Sequence, residues 1–444
     1  MSFIVSMSAS RLVKQPLQAT VAKLKRTGRA LGKLKPQQVN PVQALQDIKA
    51  RRIARRSASG LQLVLADRID FVNPAHWDAL AAQTVFLSRD YLRVLEAHAP
   101  DNLEPRYAMA YADGEPVAAL LLQRVSIGGA QLRKPGEKKL RDPIAGLREH
   151  LLVCGNLLVW GPRSMALAPH ADEGQLWHAV CEAIYRVRRA DKLHGQSDLA
   201  MIKDLGMAGD HVPPSLRLLG YRSVETEPDM VLTLRPEWKS WDDYLASMTS
   251  GYRSAAKKLL KDCAAAGLTL REATAEEMQA RADELHGLYG QVHQAQGLRL
   301  ATLSPHYLPA MAAALGPRFR CRVAEHADGR WLGFVTSVHD GDTTLGYYIG
   351  YDRAANADAP IYLTLLQSTV QDAIAFGSTR LSLGRTALEP KAKMGCKPEP
   401  LSCAVRHRVS ALNWLTTALT KTAEHDEPPE RSPFKAVLEV LPDA

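Results

Sequence analysis

Two segments of the chain, 215 to 216 residues apart, repeat one pattern, and this duplication constrains the fold more than any other feature. The motif Ser-x-x-Tyr-Leu begins at Ser88 and again at Ser304. Each copy is followed by a β-rich run, an Ala-Asp-Gly tripeptide at 112–114 or 327–329, and a second β-rich run. Asp-Gly between two such runs is a strong signal for a β-hairpin. The duplication therefore predicts two halves with the same order of elements.

The correspondence continues in the same order beyond the hairpins. Each half then has a strand, a helix, a second strand, a short helical turn and a last strand. In that order, the paired segments of the first and second halves are 151–159 with 344–351, 175–189 with 361–376, 199–202 with 380–383, 219–221 with 394–396, and 230–234 with 401–405. A Lys-, Arg-, Gly- and Pro-rich stretch at 128–150 is expected to be a loop of the first half alone. Each half is thus predicted to be α/β (α+β), with a mixed, mostly antiparallel sheet flanked by helices.

The duplication divides the chain into four predicted parts: a basic extension at 1–60, two similar α/β domains at 61–225 and 226–410, and a tail at 411–444. Residues 226–300 are expected to join the halves. Within this joint, Ser240 with two acids in the next turn, Asp242 and Asp243, is typical of a helix start. Apolar residues at helical spacing then predict a single helix to about residue 266.

Basic residues are concentrated in the extension. The chain has a net charge of +9, and residues 1–60 hold thirteen Lys and Arg against one acid, Asp47. We expect a flexible extension, because the segment has too little apolar surface to form a core. Three alternatives stay open: a weak amphipathic helix on an anionic membrane surface, a binding segment for an acidic acyl carrier protein or nucleic acid, and an organelle transit peptide.

Composition and cysteine usage favour a cytoplasmic protein, peripheral to a membrane at most. Hydrophobic residues make up 46% and charged residues 23%, the balance of a globular protein. The six cysteines are widely spread without a C-x-x-C pair, which fits a reducing compartment. Apolar runs are shorter than the roughly 18 residues of a spanning helix. Motifs for a P-loop, a nucleophile elbow, a zinc protease or a dinucleotide fold are absent, and we expect no metal.

The duplicated order of elements resembles the tandem GNAT architecture of the Fem-type peptidoglycan aminoacyltransferases. The closer likeness is to the bacterial FemAB-related, GNAT-like acyltransferases. It rests on segments 86–92, 153–156, 227–230, 252–253, 347–351 and 383–395, and covers roughly residues 60–410. The resemblance implies an N-acyltransferase that moves an acyl group from a thioester, acyl-CoA or acyl carrier protein, to a primary amine.

The resemblance also assigns the active site to the second half. Arg385, Thr386 and Lys391 follow its last core strand, and ligands in α/β folds commonly lie beyond strand ends. Together with Arg253 they are candidates for binding an anionic donor. Backbone N–H groups where segments 344–351 and 380–383 separate are expected to hold the acyl carbonyl oxygen.

Three further residues are candidates for proton transfer. Glu389 is a candidate general base on the amine. Tyr347 and Tyr362 belong to the strand and helix that form the acyl site in GNAT folds. A phenol there is suited to protonating a departing thiolate or orienting the carbonyl.

One departure from the family pattern affects the donor. GNAT acetyltransferases usually hold the coenzyme A pyrophosphate with a glycine-rich turn, whereas residues 352–360 contain no glycine. Pro360 suits a first helical turn, and free backbone N–H groups there are expected to hold an anion. Coenzyme A therefore stays one expected donor among several. Two other functions also stay open: a non-catalytic GNAT-shaped binding scaffold, and an aminoacyl-tRNA-dependent transferase whose Arg253 face and basic extension contact RNA phosphates.

Overall fold

The structure is a computed structural model of the chain. It describes residues 57–128, 148–195, 197–206, 213–295, 300–409 and 429–435, together with Gln46, Lys49, Ile53 and Asn413. Nearly all of the basic extension, and residues 129–147 of the expected loop, lie outside the described residues. The partners expected for the extension therefore stay predictions.

Thirteen strands of the described chain form one continuous sheet. They are β1 (Gln62–Ala66), β2 (Leu103–Ala112), β3 (Glu115–Gly128), β4 (Arg148–Cys154), β5 (Met165–Leu167), β6 (Ser197–Leu205), β7 (Arg222–Thr233), β8 (Leu268–Ala273), β9 (Phe319–His326), β10 (Trp331–Asp340), β11 (Thr343–Tyr351), β12 (Arg380–Ser382) and β13 (Lys397–His407). Their order across the sheet is β1-β2-β3-β4-β6-β13-β7-β12-β11-β10-β9-β8, with β5 paired to β3.

Twelve α-helices of the described chain flank the sheet. They are α1 (Pro74–Ala81), α2 (Arg89–His98), α3 (Glu173–Ala190), α4 (Pro214–Leu218), α5 (Trp241–Ser247), α6 (Ser250–Ala265), α7 (Ala275–Ala280), α8 (Ala282–His293), α9 (Tyr307–Leu315), α10 (Ala355–Asp358), α11 (Ile361–Ala375) and α12 (Leu388–Lys393).

The expected fold class and the duplication are both confirmed. The two Asp-Gly turns join equivalent antiparallel hairpins, β2–β3 and β9–β10. In each half one pair of strands is parallel, β4–β6 in the first and β11–β12 in the second. The other strand pairs of the described sheet are antiparallel. Both Ser-x-x-Tyr motifs start a helix, and the Ser88 hydroxyl accepts the Tyr91 N–H as an N-cap.

The two halves exchange their last strands. β13 lies between β6 and β7, so the last strand of the second half completes the sheet of the first. β7 in turn pairs with β12 of the second half. The boundary that the sequence suggested between residues 225 and 226 lies inside β7. The exchange covers the edges that β6 and β12 would otherwise expose, which removes two sites for unwanted strand pairing.

Apolar cores lie on both faces of the sheet. On one face both halves contribute to a single core, which includes helices α1 and α2 of the first half and α7, α8 and α9 of the second. On the opposite face the first half packs α3 and α4 on its strands. The second half packs α5, α11 and α12 there. Each fully buried Leu, Ile or Phe stabilises such a core by roughly 1.5–3 kcal/mol, so the shared face joins the halves strongly.

The joint between the halves contains two helices where the sequence predicted one. Ser240 caps α5 as expected, since its hydroxyl accepts the Asp243 N–H at 3.2 Å. The chain then becomes extended at Met248 before α6 begins. Met248 forms a β-bridge with Phe434, and the Thr249 N–H donates to the Pro433 carbonyl at 2.9 Å. Contact with the C-terminal segment thus accompanies the break in the helix.

Candidate functional site

The parallel strands β11 and β12 separate part-way along their length. They pair only through residues 343–345 and 380–382. Just beyond, β11 bulges, because Tyr347 and Tyr348 both lie opposite Thr336 of β10. The Thr336 hydroxyl accepts the Tyr348 N–H at 2.9 Å and donates to the Tyr348 carbonyl at 3.2 Å. Bulges bend a strand and occur often beside active sites. We call the opening between β11 and β12 the split.

A segment of the first half lies against the split. The Trp160 indole N–H donates to the Ser382 hydroxyl at 2.6 Å. The indole also packs on Gly384, where an added Cβ would lie 3.3 Å from the ring and φ is +74°. The Tyr348 hydroxyl donates to the carbonyl of Leu158 at 3.2 Å. The first half therefore builds one wall of this opening.

Asp229 is a buried carboxylate that is hydrogen-bonded to the strand β12 beside the split. It comes from β7 and is 6% exposed. The Ser382 hydroxyl donates to one of its oxygens at 2.6 Å, and the Gly384 N–H donates to the other at 2.9 Å. Burial raises the pKa of Asp229, although the hydrogen bond from Ser382 and the charge of Arg163 oppose the rise. An indole, a hydroxyl and a carboxylate thus form one connected chain.

Asp229 also lines a cavity of about 560 Å³ between the halves. This volume falls within the usual range of small-molecule sites. The ionisable side chains on its walls are Arg163, Asp229, Asp340, Asp342, Arg380 and Glu399. Among the rest are backbone and polar groups of both halves, such as Gln83, Thr84 and Thr343.

A buried ion pair forms the part of the cavity wall where the halves meet. Arg163 of the first half donates to Asp340 of the second at 2.7 Å, and the two side chains are 13% and 5% exposed. Asp340 also accepts the Val85 N–H at 2.7 Å. Arg163 donates to the Trp160 carbonyl at 2.9 Å. These contacts fix the segment that carries Trp160 against the second half.

Arg385 and Lys391 both point into the protein rather than into this cavity. The Arg385 guanidinium pairs with Asp204 of the first half, which also pairs with Lys203. Burial alone would raise the pKa of Asp204, but the two cations hold it below its ordinary value. Lys391 is 4% exposed, and its ammonium donates to the Gly384 carbonyl at 3.1 Å. Burial lowers the pKa of Lys391 to about 8. Their role in binding a donor stays a prediction.

Tyr347 belongs to a chain of buried hydroxyl groups. Its hydroxyl lies 2.8 Å from that of Tyr307, which lies 3.2 Å from that of Tyr91. The Asn156 amide donates to Tyr91 at 2.6 Å. Tyr91 and Tyr307 are the equivalent tyrosines of the duplicated motif, so the chain crosses from one half to the other. Burial raises the pKa of Tyr347 well above its ordinary value, which keeps this phenol protonated.

The other candidate residues lie apart from one another. Tyr362 packs on Tyr351, with ring centroids 5.5 Å apart, in the core of the opposite face. Glu389 pairs at the surface with Arg431 at 2.9 Å. The Arg431 guanidinium lowers the pKa of Glu389 and holds it as a carboxylate. Thr386 is exposed, and Arg253 is half-buried on α6. The structure does not bring these residues to the cavity wall.

The expectation of free N–H groups before α11 is wrong for most of that segment. The N–H groups of Ala355, Asn356, Ala357, Ala359, Ile361 and Tyr362 all donate within the segment. The carboxylate of Asp352 accepts the first of them at 2.8 Å, and the Asn356 amide oxygen accepts the last at 2.8 Å. A helical turn, α10, therefore occupies the place where a glycine-rich turn would present its N–H groups to a phosphate.

The described residues contain neither a metal-binding cluster nor a membrane-spanning helix. No group of three or more His, Cys, Asp or Glu side chains in this part of the chain is placed to hold a metal ion. No helix in it is long and apolar enough to cross a membrane.

Comparison with known proteins identifies the half that contains the split. Residues 247–392 match the family model described as the acetyltransferase (GNAT) domain. The second half is a GNAT domain. Its matched residues include β11, β12 and the helix α11 between them. No curated protein sequence matches the chain.

The chain is similar to several solved structures at low sequence identity. The crystal structure of FemX matches with 11% identity and a TM-score of 0.51, over 80% of this chain and 99% of FemX. A tandem GNAT protein from the clavulanic acid biosynthesis pathway matches with 12% identity and a TM-score of 0.48, over 78% of this chain and 98% of that protein. A lysylphosphatidylglycerol synthetase domain from Agrobacterium fabrum matches with 12% identity and a TM-score of 0.43, over 78% of this chain and 97% of that domain. The likeness to FemX is one of fold. With the GNAT match it confirms the resemblance to the FemAB-related, GNAT-like family.

Sequence reasoning missed Trp160, Arg163, Asp340 and Ser382, and it used Asp229 only as part of a family segment. One signal for Asp229 was present: an acid directly precedes the apolar run 230–234 of a predicted strand. For Arg163 and Asp340 no such signal exists, because each becomes notable only through its partner in the other half.

Proposed function

We propose that the protein is an N-acyltransferase with its reaction centre at the split of the GNAT domain. The observation that carries the proposal is the parallel pair β11–β12, which stops pairing after Leu345 and Ser382 where β11 bulges. In this reaction the nitrogen of a primary amine forms a bond to the acyl carbon and the carbon–sulfur bond breaks. The thiol leaving group takes up the proton that the amine loses. Positioning of the two substrates supplies most of the rate gain.

We propose a thioester on an acyl carrier protein as the donor, ahead of free acyl-CoA. Both carry the acyl group on the same pantetheine arm, which a GNAT split accommodates. The N–H groups before α11 are engaged within the chain, which leaves few of them for a pyrophosphate. The basic extension is suited to an acidic carrier protein. The same engagement of N–H groups supports one second candidate, an aminoacyl ester on tRNA.

A donor panel tests the proposal with the full chain. The purified protein is incubated with a mixture of amines and with acetyl-CoA, longer acyl-CoAs, acyl carrier protein thioesters or aminoacyl-tRNA. Thiol release and the mass of the acylated amine are then measured. We expect transfer from the carrier thioester. Transfer from aminoacyl-tRNA alone would favour the second candidate, and no transfer from any donor would contradict an enzyme and favour a binding scaffold.

A matched pair of serine variants locates the reaction centre. Ser382→Ala removes the hydroxyl that connects Trp160 and Asp229, and we expect kcat to fall at least tenfold. Ser247→Ala removes a hydroxyl that donates to its own helix at Tyr244, at 2.7 Å, away from the split. That control is expected to keep its activity. Equal activity in both variants would place the chemistry elsewhere.

A further inference from the structure

The cavity between the halves carries an excess of negative charge. Four acids and two arginines line it. Arg163 pairs with Asp340, and Arg380 pairs with Glu399 at 2.7 Å. Among the described residues, Asp229 and Asp342 have no cation within ion-pairing distance, and their carboxylates bond only to hydroxyl and N–H groups. The walls are therefore suited to a positively charged ligand.

The duplication supplies an internal comparison for Asp229. In the second half, Ser382 of β12 pairs with Leu345 of β11. In the first half, Met201 of β6 pairs with Val153 of β4, so Met201 is the counterpart of Ser382. Ser382 pairs across with Val231, and Met201 pairs with Val405. Two residues before these valines stand Asp229 in β7 and Cys403 in β13.

The first half thus has Met201 and Cys403 where the second has Ser382 and Asp229. Met201 and Cys403 are both buried in the apolar core. The first half has its own buried carboxylate next to Cys403, Asp204, and two cations, Lys203 and Arg385, neutralise it. Burying an acid is unfavourable unless it is compensated. Within the described part of the chain, Asp229 has no cation within ion-pairing distance and accepts only from Ser382 and Gly384, so its environment favours a cationic ligand.

Asp229 also has the bonding capacity for such a ligand. Each of its oxygens accepts one hydrogen bond, from Ser382 or from Gly384. A carboxylate offers about four lone-pair sites, so acceptor capacity remains on both oxygens. An ammonium group has three donors and would use the acceptor capacity that remains on these oxygens.

We propose that this cavity is the acceptor subsite and that it selects a small cationic primary amine, held by Asp229. Asp342 at the rim contacts a second cationic or polar group of the same molecule. This inference rests on the proposed function. A volume of about 560 Å³ accommodates a diamine or an amino sugar. Ser382 connects the cavity to the split, because it is the last residue of β12 paired to β11. The hydrogen bond from Ser382 to Asp229 therefore joins the cavity wall to the strand that borders the split.

Calorimetric titration of the full chain without any donor tests the charge selection. The probes are 1,4-diaminobutane and glucosamine, with N-acetylglucosamine as the uncharged match for glucosamine. We expect saturable binding of at least one amine and none of N-acetylglucosamine. Loss of a charge-assisted hydrogen bond weakens binding about ten- to a hundredfold, so Asp229→Asn should lose affinity by that factor.

Two further variants complete the test. Asp342 is exposed, so Asp342→Asn should fold normally and weaken 1,4-diaminobutane binding even if Asp229→Asn unfolds. Asp328→Asn changes an exposed acid of the β9–β10 turn and should bind like the unaltered chain. The inference is overturned if neither amine binds, if N-acetylglucosamine binds as tightly, or if the first two variants bind normally. The inference would also be overturned if neutral amines were acylated equally well by the unaltered protein and by Asp229→Asn. That result would leave the proposed acyltransferase activity intact.

Discussion

At the scale of single residues, burial decides what the cations near the split do. Arg385 and Lys391 lie in a stretch that is predicted from the sequence to bind an anionic donor. In the structure Arg385 neutralises the buried Asp204, and Lys391 donates to the Gly384 carbonyl. Since an unpaired buried charge is strongly unfavourable, these contacts have a structural consequence whatever the donor is.

Replacing Lys391 should show this in the dependence of stability on pH. The pKa of Lys391 falls from 10.5 to about 8 on burial. Below pH 8 the Lys391 amine is protonated in the folded and unfolded states, and burial of its positive charge fully destabilises the folded state. Between pH 8 and 10.5 the folded state releases the proton first, so the protein gains stability as pH rises. Lys391→Met should therefore stabilise the protein on the order of 3 kcal/mol below pH 8, and less above it.

The measurement is the Tm of the variant and of the unaltered protein from pH 6 to 10. Lys393→Met is the control, because Lys393 is exposed on the same helix and pairs with Glu389 at 3.4 Å. A loss of stability in Lys391→Met at neutral pH would show that its hydrogen bond outweighs the burial of its charge.

The tyrosine chain gives a second prediction at this scale. Tyr307→Phe removes the hydroxyl between Tyr91 and Tyr347 and should lower the free energy of unfolding by about 1–3 kcal/mol. Replacing Tyr347 by Phe as well should add little, because both members of that hydrogen bond are then absent. Urea unfolding measures both. Tyr185→Phe, at a side chain 46% exposed, is the control. Simple additivity of the two changes would contradict a coupled chain.

At the scale of elements, a short C-terminal segment stabilises the second half. The Phe434 ring lies 5.2 Å from Trp238 and 5.8 Å from Tyr244, measured between ring centroids. It covers Gly395, where φ is +97° and a Cβ would overlap the ring. Arg431 pairs with Glu389 of α12, so the segment holds the helix that carries Lys391.

Phe434→Ala should therefore destabilise the protein by about 1–2 kcal/mol, the value for a partly buried ring. It should also change the fluorescence of Trp238, whose ring it contacts. Ser432→Ala, at an exposed position of the same segment, is expected to change neither. Unaltered stability in Phe434→Ala would mean that the segment rests on the domain without stabilising it.

At the scale of the whole molecule, the exchange of β7 and β13 makes the halves interdependent. Val405 belongs to the last strand of the second half, yet it is fully buried beside Met201 of the first. Val405→Ala should remove about 1–3 kcal/mol of stability. Calorimetry should show a single unfolding transition that moves as a whole, because each half's part of the continuous sheet needs a strand from the other half.

Val409→Ala, at an exposed residue just beyond β13, is the control and should leave the transition in place. Two resolved transitions, only one of them shifted by Val405→Ala, would show that the halves unfold independently.

The sequence by itself determined the duplicated elements and their order. The Asp-Gly turns, the alternating β-rich runs and the Ser-capped helices are local signals, and the structure contains each of them. The apolar faces of α3 and α11 were likewise recognisable from helical spacing, since local periodicity determines which side of an element is buried.

The tertiary structure alone decided which distant surfaces meet. β7 and β13 each read as a strand in the sequence, but nothing local states that each pairs into the opposite half. The partners Arg163–Asp340 and Arg385–Asp204, and the cavity around Asp229, exist only because that exchange brings the halves together. The reason is physical: a strand's pattern encodes its conformation and its buried face, whereas its neighbour, and the charge that compensates a buried acid, depend on the packing of the whole chain.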